Sequence, residues 1–453
     1  MRNLFQKPEG ELLFDNKSLF FLILPMIAEL LLNFSVGLAD SIMVASVGEA
    51  AVSGVSLVDN IFLLILMVFS AMSTGGSVVA GQYIGSRNKE MAKKSATELV
   101  WSNICLGVIV MFVIFAVRTV ILKVVFGSIT PEVYANAKTY LNIVNLSVPF
   151  MAMYNSTAAI FRATGNTKLI TLDAALMGIL NIIGNAIGVF VLKAGIAGVA
   201  VPTLLSRAFG GILMLVLLLR PTNPLTIERS WKHRFDWGMV RRILTIGIPS
   251  GFENGIFQIG KIILLSLIST FGTVAITANA VTGSIVSIQC IPGNAMSMAI
   301  MTVVAQAIGA GSYPQARYYT RQLMSIASAG MAIWCAFMYA ILPVILRIYH
   351  LSPETTAVTR QLVCSHMLVS ILIWPLSFSL PATLRAAGDV RFPMTVSIVS
   401  MFLVRVLFAY VLAVNFGLGV FGTWLARYCD WAVRAVCFTI RYLHGKWMSF
   451  HVI

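Results

Sequence analysis

Charge is scarce in this chain, and acidic charge scarcer still. Only 11% of its 453 residues are charged, and 32 Lys and Arg face 17 Asp and Glu, whereas a soluble protein has about a quarter of its residues charged. A water-exposed surface cannot be covered with so few charges. The six cysteines, Cys105, Cys290, Cys335, Cys364, Cys429 and Cys437, lie in hydrophobic runs without metal-type spacing, so they read as small apolar side chains rather than a zinc site. The five histidines offer no pair suited to zinc or to proton relay. A nucleotide-binding loop, a nucleophile elbow and a His-Glu-x-x-His motif are all missing, which leaves an ion gradient as the energy source and no cofactor to expect. Alternating apolar segments of about ten residues are also missing, against an outer-membrane barrel. The polar first 17 residues show no cleavage pattern, so no removable signal peptide is expected.

What the chain does have is hydrophobic length. Residues of the apolar classes make up 58% of it, with a mean hydropathy of +0.88. Runs of roughly 20 residues, enough to cross about 30 Å of hydrocarbon as helix, occur near 18–43, 52–79, 97–117, 136–160, 169–191, 195–219, 243–269, 277–304, 322–346, 358–383, 394–414 and 418–440. The expected fold is an all-α membrane protein of twelve transmembrane helices in the lipid bilayer.

The net charge of +15 points to orientation rather than to nucleic acid, because the basic residues gather in every second connection. Arg2, Lys7 and Lys17 precede span 1; Arg87, Lys89, Lys93 and Lys94 lie between spans 2 and 3; Arg220, Arg229, Lys232, Arg234, Arg241 and Arg242 lie between spans 6 and 7. The loops 44–51, 270–276 and 415–417 carry neither Lys nor Arg. By the positive-inside rule, both termini and the even-numbered connections are expected to be cytoplasmic, in a bacterial inner membrane.

The two halves repeat one another about 223 residues apart. Phe161-Arg162-Ala163-Thr164-Gly165-Asn166-Thr167-Lys168 returns as Leu384-Arg385-Ala386-Ala387-Gly388-Asp389-Val390-Arg391, and Gly81-Gln82-Tyr83-Ile84-Gly85 as Ala305-Gln306-Ala307-Ile308-Gly309. Pro25 with Glu29 returns as Pro249 with Glu253, and Pro131-Glu132 as Pro353-Glu354. Four landmarks in one order at nearly one offset indicate duplication. Six spans per half give both halves the same orientation, a parallel repeat. The expected organisation is a first lobe 1–219, a cytoplasmic linker 220–242 with Trp231 and Trp237 at the interface, and a second lobe 243–453. Gly184 with Gly188, Gly195 with Gly198 and Gly251 with Gly255 are read as close helix contacts.

Carboxylates inside a bilayer each need an explanation, because their insertion costs a few kcal/mol or more. In span 1, Glu29 and Asp40 differ by about 20° around a helix, with Asn33 within about 40° of both, so the three form one polar stripe. Span 5 answers with Asn181 and Asn185 on one face; span 4 adds Asn155 and Asn145. Helix-joining hydrogen bonds and a cation or proton site both fit the amides. Asp40 shows no evident basic partner and is read as functional. Glu253 corresponds to Glu29, but Leu264 replaces Asp40 in the second half, so coupling is assigned to the first. Glu253 with Gln258 and Lys261 stays a competing site. Arg427 and Asp430 read as a pair within one helix, and Asp59 and Asp173 as less informative. Methionines, among them Met151, Met177 and Met298, would give an adaptable lining, although ordinary packing accounts for most of them equally well.

These residues resemble the multidrug and toxic compound extrusion (MATE) transporters over nearly the whole chain. The resemblance rests on Asp40 within Gly37-Leu38-Ala39-Asp40-Ser41-Ile42-Met43-Val44 followed by Gly48, on Gly81-Gln82-Tyr83-Ile84-Gly85, on Arg162-Ala163-Thr164-Gly165-Asn166-Thr167-Lys168, on Asn181-Ile182-Ile183 and on Gly195-Ile196-Ala197-Gly198-Val199-Ala200. It implies two six-helix lobes in a V and export of cationic or amphipathic small molecules against inward protons or sodium, here by a monomer. The DinF-type branch is the most similar; there the acid matching Asp40 is the protonation site, surrounded by groups matching Asn155, Asn181 and Thr203. Asn185 departs from the second aspartate of many relatives. In the NorM-type branch a glutamate matching Glu253 works with a span 10 acid to bind sodium, but Trp374 and Pro375 stand in that neighbourhood here. Sodium coupling through Glu253, a lipid-linked saccharide flippase and, more remotely, a membrane enzyme are the alternatives.

Overall fold

A computed structural model describes residues 11–122, 127, 130–221, 223–228 and 235–453. Arg2, Lys7, Arg229, Trp231, Lys232 and Arg234 lie outside the described residues. The described chain is helical throughout and makes twelve passes, here called spans 1 to 12. They are Asn16–Val47, Glu49–Gly85, Lys89–Val120, 131–163, Thr167–Val191, Ala197–Leu218, Trp237–Ser269, 273–309, Tyr313–Ile348, Pro353–Ala386, Arg391–Asn415 and Gly419–Leu443.

Among the described residues ten helices are long and apolar enough to cross a membrane unaided. Span 4 falls short because a 3-10 turn at Asn145–Ser147 divides it, and span 12 because it carries Arg427, Asp430, Arg434 and Arg441. Both therefore depend on neighbours to satisfy groups that lipid cannot. Large apolar side chains such as Ile333, Leu368 and Leu372 are more than 70% exposed, the inverse of a soluble surface and the pattern of a wall against acyl chains.

Two compact units emerge, 18–251 and, among described residues, 11–17 with Phe252–Ile453. In the first unit, the core joins Val44, Val58, Phe62, Phe69, Leu141 and Val148. Between spans 6 and 7 the described part of the connection is fastened to the start of span 3. Glu228 donates its N–H to Thr97, Asp236 donates its N–H to Glu98, and Lys94 pairs with the Asp236 carboxylate. The hydrogen bond from Lys94, aided by the N–H of Met239, holds that half-buried carboxyl below the usual range. Trp237 is 74% exposed.

Small residues work as expected at some positions and differently at others. Gly188 lies against the backbone of Gly198, and Gly184 against Pro202, so spans 5 and 6 approach more closely than a methyl group would permit. Gly195 instead turns the chain between these spans at φ 57, a conformation glycine adopts without Cβ strain. Gly251 meets Ala71, whereas Gly255 touches nothing. Of the cysteines, Cys335 is buried but Cys105 is exposed.

Candidate functional site

Proline and threonine first set the geometry of span 1. Pro25 has no N–H, so the carbonyl of Phe21 one turn earlier loses its helical donor. Thr167, at the start of span 5, donates its hydroxyl to the carbonyls of Phe21 and Leu22, at 3.4 and 3.0 Å, and Thr171 donates to that of Pro25 at 2.7 Å. Spans 1 and 5 are thereby clamped together at one end. About four helical turns further along span 1 stands Asp40, facing Asn185 of span 5.

Asn185 donates from Nδ2 to the Asp40 carboxylate and also toward Asn181 Oδ1 at 3.3 Å; Asn181 Nδ2 donates to Thr203 Oγ1 at 3.3 Å, and Thr203 donates to the Val199 carbonyl at 2.9 Å. A relay of three side chains thus leads from Asp40 into spans 5 and 6. Asn181, Asn185 and Thr203 are buried, and Asn185 Oδ1 is left without a partner. The other side of Asp40 faces a cavity of about 590 Å³, whose lining includes Asp59, Asn60, Tyr140, Met151 and Arg207.

Arg207 is the basic neighbour that linear spacing concealed. Its Nη1 donates to Ser147 at 3.2 Å and meets Met151 Sδ at 3.3 Å, and its guanidinium lies over the Phe62 ring at 5.6 Å. Among the described ion pairs, none joins Arg207 to Asp40. Asp59 supplies a second carboxylate to the same cavity. A lone acid in the apolar run of span 2 was the available signal for it; nothing in the sequence says that spans 1, 2 and 6 turn their polar faces to one space.

The remaining expected site residues are dispersed. Glu29 does not join Asp40: its Oε1 takes a 2.6 Å ion pair from Arg162, and Glu29 is about 2% exposed. Glu253 repeats this arrangement with Arg385 at 2.7 Å and adds Ser397 at 2.7 Å and Arg434 at 3.7 Å. The Pro-x-x-x-Glu and Arg-Ala landmarks of each half are thus two ends of one buried ion pair, duplicated with the fold. Asn155 donates to its own helix at the Met151 carbonyl, 2.9 Å. Met177 packs on Gly210 beside Asp173, away from the cavity lining. Asp173 itself is 1% exposed. Asn33 is exposed, and Gln258 and Met298 are half-buried. Asp430 is approached by Arg405 of span 11 at 4.0 Å, while Arg427 stacks on Trp424 at 3.7 Å, so the two do not form a pair within span 12. No group of three or more His, Cys, Asp or Glu among the described residues could hold a metal ion.

Comparison with known proteins bears on this arrangement. A family profile described as MatE matches residues 25–187 and again 249–411, each match beginning at the proline of its half. The chain belongs to the MatE family. It is therefore a multi-pass membrane transporter, not an enzyme, built from two copies of the MatE domain. The "Uncharacterized transporter YisQ" of Bacillus subtilis is 28% identical over 443 residues, covering 95% of each chain. The "Probable multidrug resistance protein NorM" of Thermotoga maritima is 25% identical, over 97% of this chain and 95% of that one. The solved structure titled "Outward-facing conformation of a multidrug resistance MATE family transporter of the MOP superfamily" superposes with a TM-score of 0.87 at 21% identity, over 95% of both chains. That likeness shows the fold: the MatE architecture of twelve helices in two six-helix repeats.

Proposed function

We propose that this MatE protein is a proton-coupled antiporter that exports small cationic or amphipathic compounds, with Asp40 as the group that exchanges a proton for the exported cation. The observation that carries the reading is the position of Asp40: one face on the Asn185–Asn181–Thr203 relay, the other on an open cavity, with no described ion pair to a permanent cation. With Asp40 and Asp59 ionised beside Arg207 the cavity holds one net negative charge, and a single proton cancels it. Two unit charges about 6 Å apart at an effective dielectric near 20 attract by about 3 kcal/mol, so the proton changes cation affinity about a hundredfold. The relay hydrogen bonds give Asp40 a fixed orientation in either state. The distribution of Lys and Arg supports a bacterial cytoplasmic membrane with both termini cytoplasmic, and the names of relatives such as NorM of Thermotoga maritima support multidrug substrates. We read the unit as a monomer.

Sodium coupling through Glu253 is disfavoured, because Arg385, Arg434 and Ser397 already occupy that carboxylate. The deciding assay is efflux of a fluorescent organic cation from proteoliposomes under separately imposed proton and sodium gradients. The proton gradient alone should drive export in wild type, and Glu253→Gln should retain the same ion preference. Export driven by sodium alone and indifferent to an uncoupler would sink the reading.

A further inference from the structure

The second unit gathers cations that its own acids do not balance. Around the ring of Phe257 in span 7 lie Arg405 of span 11 at 5.1 Å, Lys261 at 5.4 Å and Arg434 of span 12 at 5.6 Å. Arg427, stacked on Trp424, is within electrostatic reach of both Lys261 and Arg405. Against these four cations stands Asp430, with Glu253 shared between Arg385 and Arg434 and Asp389 matched by Arg441. The excess is three positive charges inside a membrane-spanning bundle.

Such an excess is costly to bury, and the contacts show that the resident acid does not relieve it. Asp430 and Arg405 stand 4.0 Å apart without a hydrogen bond. Both Asp430 oxygens, Arg405 Nε, Arg427 Nε, and Arg434 Nε and Nη1 are buried and unpartnered, although Arg405 and Arg434 are only about 3% exposed. Packing does not explain Lys261 either. It lies next to Gly260, which meets Met401 of span 11, and one turn from buried Leu264, so it lies along the face of span 7 that packs on spans 11 and 12. Its side chain is nevertheless exposed, and Arg427 is half-buried, so these two form the accessible edge of the cluster. Arg405 sits in a π-helical stretch, Ser400–Val406, a local widening that is frequent at functional positions.

We propose that this cluster is a binding site for an oxyanion, a phosphate group in the first instance, held by Lys261 and Arg427 at the accessible edge and by Arg405 behind them. A phosphate dianion offsets most of the excess charge and offers several acceptor oxygens to guanidinium forks. The aromatic surfaces of Phe257 and Trp424 would accommodate an apolar body attached to it. The site goes beyond the coupling reading: it lies in the other unit, shares no residue with the Asp40 cavity, and would admit amphipathic compounds that carry a phosphate.

The test is equilibrium binding to the purified full-length protein in detergent, with two radiolabelled probes, inorganic phosphate and a short-chain lysophosphatidic acid. Saturable binding of at least one is expected, weakened about tenfold or more in Lys261→Gln and in Arg427→Gln, and restored in Lys261→Arg. Binding of the lipid alone identifies a lipid headgroup as the source, binding of phosphate alone a free anion, and binding of both a site that reads the headgroup chemistry; each supports the proposal. No saturable binding of either probe, or equal binding by Lys261→Gln, overturns it. Lys261 is exposed, so its removal does not open the core, and thermal melting of the variant checks the fold. No gradient enters the measurement, so a negative result leaves coupling at Asp40 untouched.

Discussion

Replacing Asp40 by asparagine is expected to lower gradient-driven export of an organic cation by about a hundredfold, the equivalent of the roughly 3 kcal/mol that one cavity charge contributes at about 6 Å. The amide keeps the size of the carboxyl and still accepts from Asn185, so the relay to Asn181 and Thr203 persists and the protein should remain folded. Binding of the cation should weaken, and its residual binding should no longer vary with pH. Asp59→Asn is the informative companion. It leaves Asp40 with Arg207 in the cavity, so binding should fall while the pH dependence stays. Efflux rates in proteoliposomes under an imposed proton gradient, taken with binding isotherms at two pH values, separate the two variants. Full export by Asp40→Asn would remove the basis of the mechanism.

Breaking the duplicated ion pair is expected to cost stability rather than coupling, and to cost it unequally in the two halves. Arg162→Met leaves the Glu29 carboxylate, about 2% exposed, with no cationic partner among its described contacts. Loss of one member of a buried pair costs about 3–5 kcal/mol. Arg385→Met should cost less, because Glu253 keeps Ser397 at 2.7 Å and Arg434 at 3.7 Å. Removing both charges, Glu29→Gln with Arg162→Met, should recover part of the loss, since no uncompensated charge then remains. Unfolding midpoints in detergent for the three proteins test the order. An Arg385→Met protein less stable than Arg162→Met, or a double variant worse than the single, would contradict it.

Fold and site were legible in the sequence to different depths. The twelve spans could be read because a bilayer permits few solutions, and hydrophobic length is a one-dimensional property. Duplication was legible from Arg162 with Arg385 and Glu29 with Glu253. What the spacing hid was that these marks are partners: Glu29 and Arg162 are 133 residues apart, and no periodicity within a helix reports which helix it will face. The same limit separated Glu29 from Asp40. They share a face by helical phase, yet they stand about three turns apart along the axis and meet different neighbours, Arg162 in one case and Asn185 in the other. Asn181 with Asn185 was readable as a polar face, whereas Asp59 and Arg207 were not readable as its companions. Lys261 carried a signal of its own, a strong base within an apolar span, whose meaning appeared only when spans 11 and 12 brought arginines to it.

If the exported cation and a proton compete for Asp40, substrate binding must release protons. Purified protein in weakly buffered detergent solution, at a pH where wild type binds, is titrated with an organic cation while a pH indicator is followed. Wild type should release protons in proportion to the cation bound, and Asp40→Asn none at matched occupancy. Equal release from the two proteins, or cation binding by wild type without release at any pH, would contradict it.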